Sequence, residues 1–101
     1  MVNLADALLY LGIDYADEAI EANVSRALAA AKLHLKGAVG ADLEEYLPDD
    51  ERADTLVLSY LDELYSERSA SSKNATALRA IIRNLEDELR LELRARKAAS
   101  V

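Results

Sequence analysis

At 101 residues the chain has the size of one domain, with room for a single modest core. Apolar residues make up 51% and charged residues 31%, with only three Gly and one Pro, a globular rather than a disordered composition that favours long uninterrupted helices. The lack of Cys excludes disulfides and thiolate metal sites, and a net charge of −7 with a pI near 4.6 argues against a free nucleic-acid-binding domain.

The first predicted helix covers residues 3–11. Asn3 suits its N-cap, Leu4, Leu8 and Leu11 recur along one face, and Gly12 stops the pattern. This opening lacks a basic start and carries Asp6 among its apolar residues, so it does not read as a signal peptide. A second helix is expected over 15–39, capped by Asp14, with Asp17 and Glu18 in the first turn where negative charge suits the helix dipole. Its apolar stripe is Ile20, Val24, Ala27, Leu28, Ala31, Leu35 and Ala38, and Ala27, Ala30 and Ala31 are small enough to let another helix come close. Gly37 or Gly40 ends it, and one further turn of helix is expected near 42–47, before Pro48 disfavours helical geometry at Leu47.

A third long helix is predicted over 49–67, capped by Asp49 or Asp50, with Ala53, Leu56, Val57, Tyr60, Leu61 and Leu64 on its apolar face. The polar run from Ser66 to Thr76 separates it from a last helix over 76–97. There Leu78, Ile81, Ile82, Leu85, Leu89 and Leu93 share one side, and Glu86–Arg90 and Glu92–Arg96 have the spacing of i,i+4 ion pairs. No segment alternates as a strand does. The expectation is a single all-α domain over 1–101: a compact bundle of a short N-terminal helix and three long ones, with the extra short turn near 42–47.

Chemistry-bearing constellations are scarce. His34 is the only histidine and reads as structural, beside the stripe of the second helix. The carboxylates at 44–45, 49–51, 62–63 and 86–88 fall on helix starts and polar faces, where capping and solvation account for them. Asn23 and Asn74 match the N-glycosylation pattern by chance, the first inside a helix. No catalytic, cofactor-binding or metal-ligating residue is predicted, and no stretch approaches the roughly 18 apolar residues of a membrane span. The charge is uneven: residues 1–67 hold 15 acidic and 4 basic residues, whereas 68–101 hold 4 acidic and 8 basic. An acidic body with a basic tail suits contact between unlike surfaces, or is simply solvated.

The order of these features resembles a known family. A short helix ends at "YLGIDY", a long one runs through "AAAKLHLKGAVG", a Pro-containing acidic turn follows, and a helix closes on "SYLDELYSER" before a polar loop and "ALRAIIRNLEDELR". This is similar to the small head–tail connector proteins of tailed bacteriophages and prophages, the adaptors that dock beneath the portal. The likeness covers nearly the whole chain, most tellingly at "LYSER", with Arg68, and at Leu78, Arg79, Ile82 and Leu85. It implies a non-enzymatic virion protein without cofactors, at the head–tail interface, and in the host cytoplasm during assembly or as a prophage product. It implies a ring of identical copies, twelvefold on the portal, that extends the DNA channel and offers a docking surface to the next head-completion or tail protein. Double-stranded DNA would pass through without specific binding, and no membrane is involved. On this reading Arg68, Arg79, Arg83, Arg90, Arg94, Arg96 and Lys97 form the protein interface. The loop residues Ser69, Ser71, Ser72, Lys73 and Asn74 form a hinge that lets the last helix change its angle on docking. Two other readings fit the residues: a generic helical interaction or regulatory module, and a DNA-binding packaging protein that uses the basic tail.

Overall fold

The computed structural model describes residues 2–15, 17–66 and 75–99, with side chains for all of these but 66 and 75–78. The fold is all-α: α1 (Leu4–Tyr10), α2 (Glu18–Val39), α3 (Leu43–Tyr46), α4 (Glu51–Ser66) and α5 (Ala75–Ala99), with no strand among the described residues. Arg68 and the proposed hinge residues Ser69, Ser71, Ser72, Lys73 and Asn74 lie outside the described residues.

Local chemistry sets the helix ends. Asn3 Oδ1 accepts from the Asp6 N–H at 2.8 Å while Asp6 Oδ2 accepts from the Asn3 N–H at 3.1 Å, a reciprocal box that satisfies two otherwise orphaned donors of α1. At the other end Gly12 adopts φ +74°, and the Ile13 N–H reaches back to the Leu8 carbonyl at 3.0 Å. A left-handed residue at this place lets the chain close over the last carbonyls, and glycine adopts that conformation without steric cost.

This closure displaces the next helix start. α2 begins at Glu18 rather than residue 15, and its cap is Asp17 rather than Asp14: Asp17 Oδ1 accepts from the Ile20 N–H at 2.8 Å. Asp14 and Tyr15 are spent on turning the chain from α1 into α2. α2 then continues through Gly37 and stops at Gly40. α3 is a single turn, closed by the Leu47 N–H on the Leu43 carbonyl at 2.8 Å. Asp50 opens α4, its Oδ1 accepting from the Arg52 N–H at 2.9 Å.

α2 and α4 form the centre of the bundle. Val24, Leu28, Ala31 and Leu35 of the first are buried together with Ala53, Leu56, Val57 and Leu61 of the second. Each of the large apolar side chains contributes roughly 1.5–3 kcal/mol by leaving water. α5 packs on both helices through Leu89 and Leu93, and α1 through Ala7. The two outer helices use different sides of α4. α5 meets it through Arg52 and Tyr60, about two turns apart on one side, whereas Tyr10 of α1 lies near Asp62, about 200° further round than Tyr60. The result is a flat body of 47 × 32 × 18 Å.

Two apolar positions depart from the expected stripes. Leu64 of α4 is 51% exposed and Ile81 of α5 is 54% exposed, although both were expected on buried faces. α5, at about 37 Å, outruns α4, at about 24 Å; its first half meets the core through the partly buried Ile82 and Leu85, and Ile81 stays outside that contact. No helix among the described residues is long and apolar enough to cross a membrane.

Candidate protein-interaction surface

Four polar tethers hold α5 against the body. Arg52 grips Asp50 with two bonds, Nε–Oδ1 at 3.0 Å and Nη2–Oδ2 at 2.7 Å, and the same Nη2 reaches Glu92 of α5 at 2.7 Å. The guanidinium bonds hold the Asp50 carboxyl below the usual carboxylate range, against the opposing pull of partial burial. The Tyr60 hydroxyl donates to Glu86 Oε2 at 2.6 Å, and burial first, then that carboxylate, pushes the phenol well above its ordinary value. Arg90 donates from Nε to the Ala38 carbonyl at 3.0 Å and pairs with Asp87 at 2.9 Å. Lys97 pairs with Asp42 at 2.6 Å, and its hydrogen bond to that carboxylate raises the ammonium above its ordinary value.

These tethers sort the cations predicted at the interface. Glu86 and Glu92 take tertiary partners instead of the i,i+4 partners expected from their spacing, because both lie on the half of α5 that faces the body. Arg90 and Lys97 are engaged within the chain. Arg79, Arg83, Arg94 and Arg96 are exposed and make no ion pair among the described residues. By spacing, Arg79, Arg83, Arg90, Arg94 and Lys97 fall within about 60° of one another on the α5 surface, forming one row. Arg96 is off that row and faces the turn of Pro48 and Asp49.

Beside this row α2 leaves an open, mostly apolar groove lined by Ala30, Leu33, His34, Gly37 and Ala38. It continues toward Tyr60, Glu63 and Leu64 of α4. His34 stands edge-on to Tyr60, ring centroids 4.5 Å apart at 82°, so the lone histidine packs as a partner of a buried aromatic ring while part of it remains exposed to the groove. Leu33 is 71% exposed. Its sequence signal is its position: an apolar residue roughly 170° round α2 from the Leu28–Leu35 stripe has no core to enter.

Leu9 of α1 and Tyr15 in the turn before α2 are also exposed, at 82% and 84%. Their charged neighbours in the sequence are Asp6, Asp14, Asp17 and Glu18, and no Lys or Arg precedes Arg26. Among the described residues no group of three or more His, Asp or Glu side chains converges to hold a metal ion. What the arrangement offers is noncovalent association through exposed apolar side chains and the exposed cations of α5. No family model, curated protein or solved structure matches the chain.

Proposed function

We propose that the chain is a structural ring subunit of the head–tail connector kind that its sequence resembles. In this role it docks beneath a portal, extends the DNA channel and presents a surface to the next head-completion or tail protein. The observation that carries the reading is the row of cations on α5, of which Arg79, Arg83 and Arg94 have no carboxylate partner among the described residues, on a chain that carries −7 overall. Unlike surfaces on one flat subunit favour side-by-side assembly, in which each copy satisfies the next. The helix order, short, long, one turn, long, long, supports the family assignment on which the portal and virion roles rest. In this role the chain has no catalytic step and no cofactor, and DNA passes the ring without base-specific contacts.

Mixing the purified chain with portal protein and imaging the product along the channel axis tests this. The expected product is a coaxial ring of added density on the portal. Bare portal particles beside an unbound chain would overturn it. The same cation row favours a second reading, phosphate contact on duplex DNA. Retention of duplex DNA at physiological ionic strength, falling steeply with added salt, is the result that reading requires.

A further inference from the structure

We propose that each copy lays the cation row of α5, through Arg79, Arg83 and Arg94, against the start of α2 and the turn before it in the next copy, through Asp14, Glu18 and Glu21. This rests on the ring reading above and names the charges that join one subunit to its neighbour.

Both sets lack partners of their own. Arg79, Arg83 and Arg94 are exposed and form no ion pair among the described residues, and the same holds for Asp14, Glu18 and Glu21. The other members of the row, Arg90 and Lys97, are held by Asp87 and Asp42 of the same chain and take no part. Residues 1–25 hold five carboxylates and no Lys or Arg, so no cation nearby in sequence neutralises them. The other long acidic run, 42–51, is different. Asp42 meets Lys97, Asp50 meets Arg52 and Arg96 faces the turn of Asp49, so cations of the same chain already answer it.

The occupant is a second copy because the fold sets the two charges on different sides of one flat body. α5 is bonded to α4 at Tyr60, whereas α1, whose end leads through Asp14 into α2, reaches α4 beside Asp62, about 200° further round. Along α2, Glu18 lies about 30 Å from Ala38, which Arg90 of α5 holds, and about 160° round the helix from it. Row against row sets arginines against arginines, and acids against acids repel as well; row against acids is the complementary choice. A two-fold dimer that used both surfaces would need them to face one partner. Surfaces on different sides bind one neighbour each, and such a contact terminates when rotation closes a ring.

The test is a charge swap. Arg79→Glu with Arg83→Glu reverses the row, Glu18→Lys with Glu21→Lys reverses the acids, and a quadruple variant carries all four changes. All four positions are exposed, and circular dichroism checks that helicity is kept. Self-association is followed by sedimentation, alone and with portal protein present. Each reversed pair alone is expected to weaken ring formation by about tenfold or more. The quadruple variant, whose charges are complementary again, should associate more tightly than either reversed pair. An equal mixture of the two reversed pairs should do so too, in rings that alternate. Reversed pairs that assemble like the wild type overturn this interface and leave the ring reading standing. A loss that neither the quadruple variant nor the mixture restores also overturns it, and assigns the row to the portal or to duplex DNA. A wild-type chain that stays monomeric at millimolar concentration and leaves the portal bare overturns both.

Discussion

Gly40 governs how closely α5 approaches the end of α2. A Cβ placed there would lie 2.7 Å from Leu93 Cδ2, and its φ of +154° is one that L side chains rarely adopt. The tip of Leu93 can shift, but the backbone strain stays. Gly40→Ala is therefore expected to lower unfolding free energy by about 2 kcal/mol, against about 1 kcal/mol for Gly12→Ala, where the added methyl meets open space. Urea denaturation of the two variants separates strain from strain plus crowding. Tyr60→Phe keeps the ring beside His34 and removes the bond to Glu86, a loss of about 1 kcal/mol. It should also change the response to alkali. Tyr60 is raised by burial and Glu86, Tyr10 by burial and Asp62, and Lys97 by its bond to Asp42. A group raised on folding lends stability that is complete below its unfolded value and is lost as pH climbs through its folded value. Stability should thus fall above about pH 10, less steeply in Tyr60→Phe, as thermal melts across pH will register.

The helices show which parts of the fold a sequence displays and which it conceals. The buried stripes of α2 and α4 were legible because Val24, Leu28, Ala31 and Leu35, like Ala53, Leu56, Val57 and Leu61, obey the helical period and meet each other. The start of α2 was not legible. Asp14 and Asp17 are equally good caps in isolation, and the choice depends on how α1 closes at Gly12 and Ile13. The cation row was visible in the spacing of α5, but which members stay free depends on Ala38 and Asp42, remote in sequence. Leu33 and Gly37 could have been noticed as residues with no place in the apolar stripe. The seating of α5 depends heavily on Arg52, whose guanidinium joins Asp50 at the start of α4 to Glu92. Arg52→Met keeps much of the aliphatic stem and removes the link, with an expected cost of about 1 kcal/mol because the pair is partly solvated. Asp50, lowered mainly by its hydrogen bond to Arg52, lends stability that is present above about pH 4 and lost as pH falls through its folded value. The acid limb of an unfolding curve should be shallower in Arg52→Met than in the wild type.

At the scale of the whole molecule, the chain buries one core between α2 and α4 and leaves outside it what an isolated monomer has no use for. Leu9, Tyr15 and Leu33 stay in water, Arg79, Arg83 and Arg94 lack partners among the described residues, and Gly37 weakens a helix without serving a contact. A ring in which unlike surfaces meet accounts for all of these together, and salt should weaken it because part of the complementarity is electrostatic. The most direct test is native mass spectrometry of the full chain, alone and with portal protein. The ring account predicts a closed assembly at a high multiple of 11.1 kDa, about twelve copies when bound to the portal. A chain that remains at 11.1 kDa, or stops at a two-fold dimer, in both samples would contradict it.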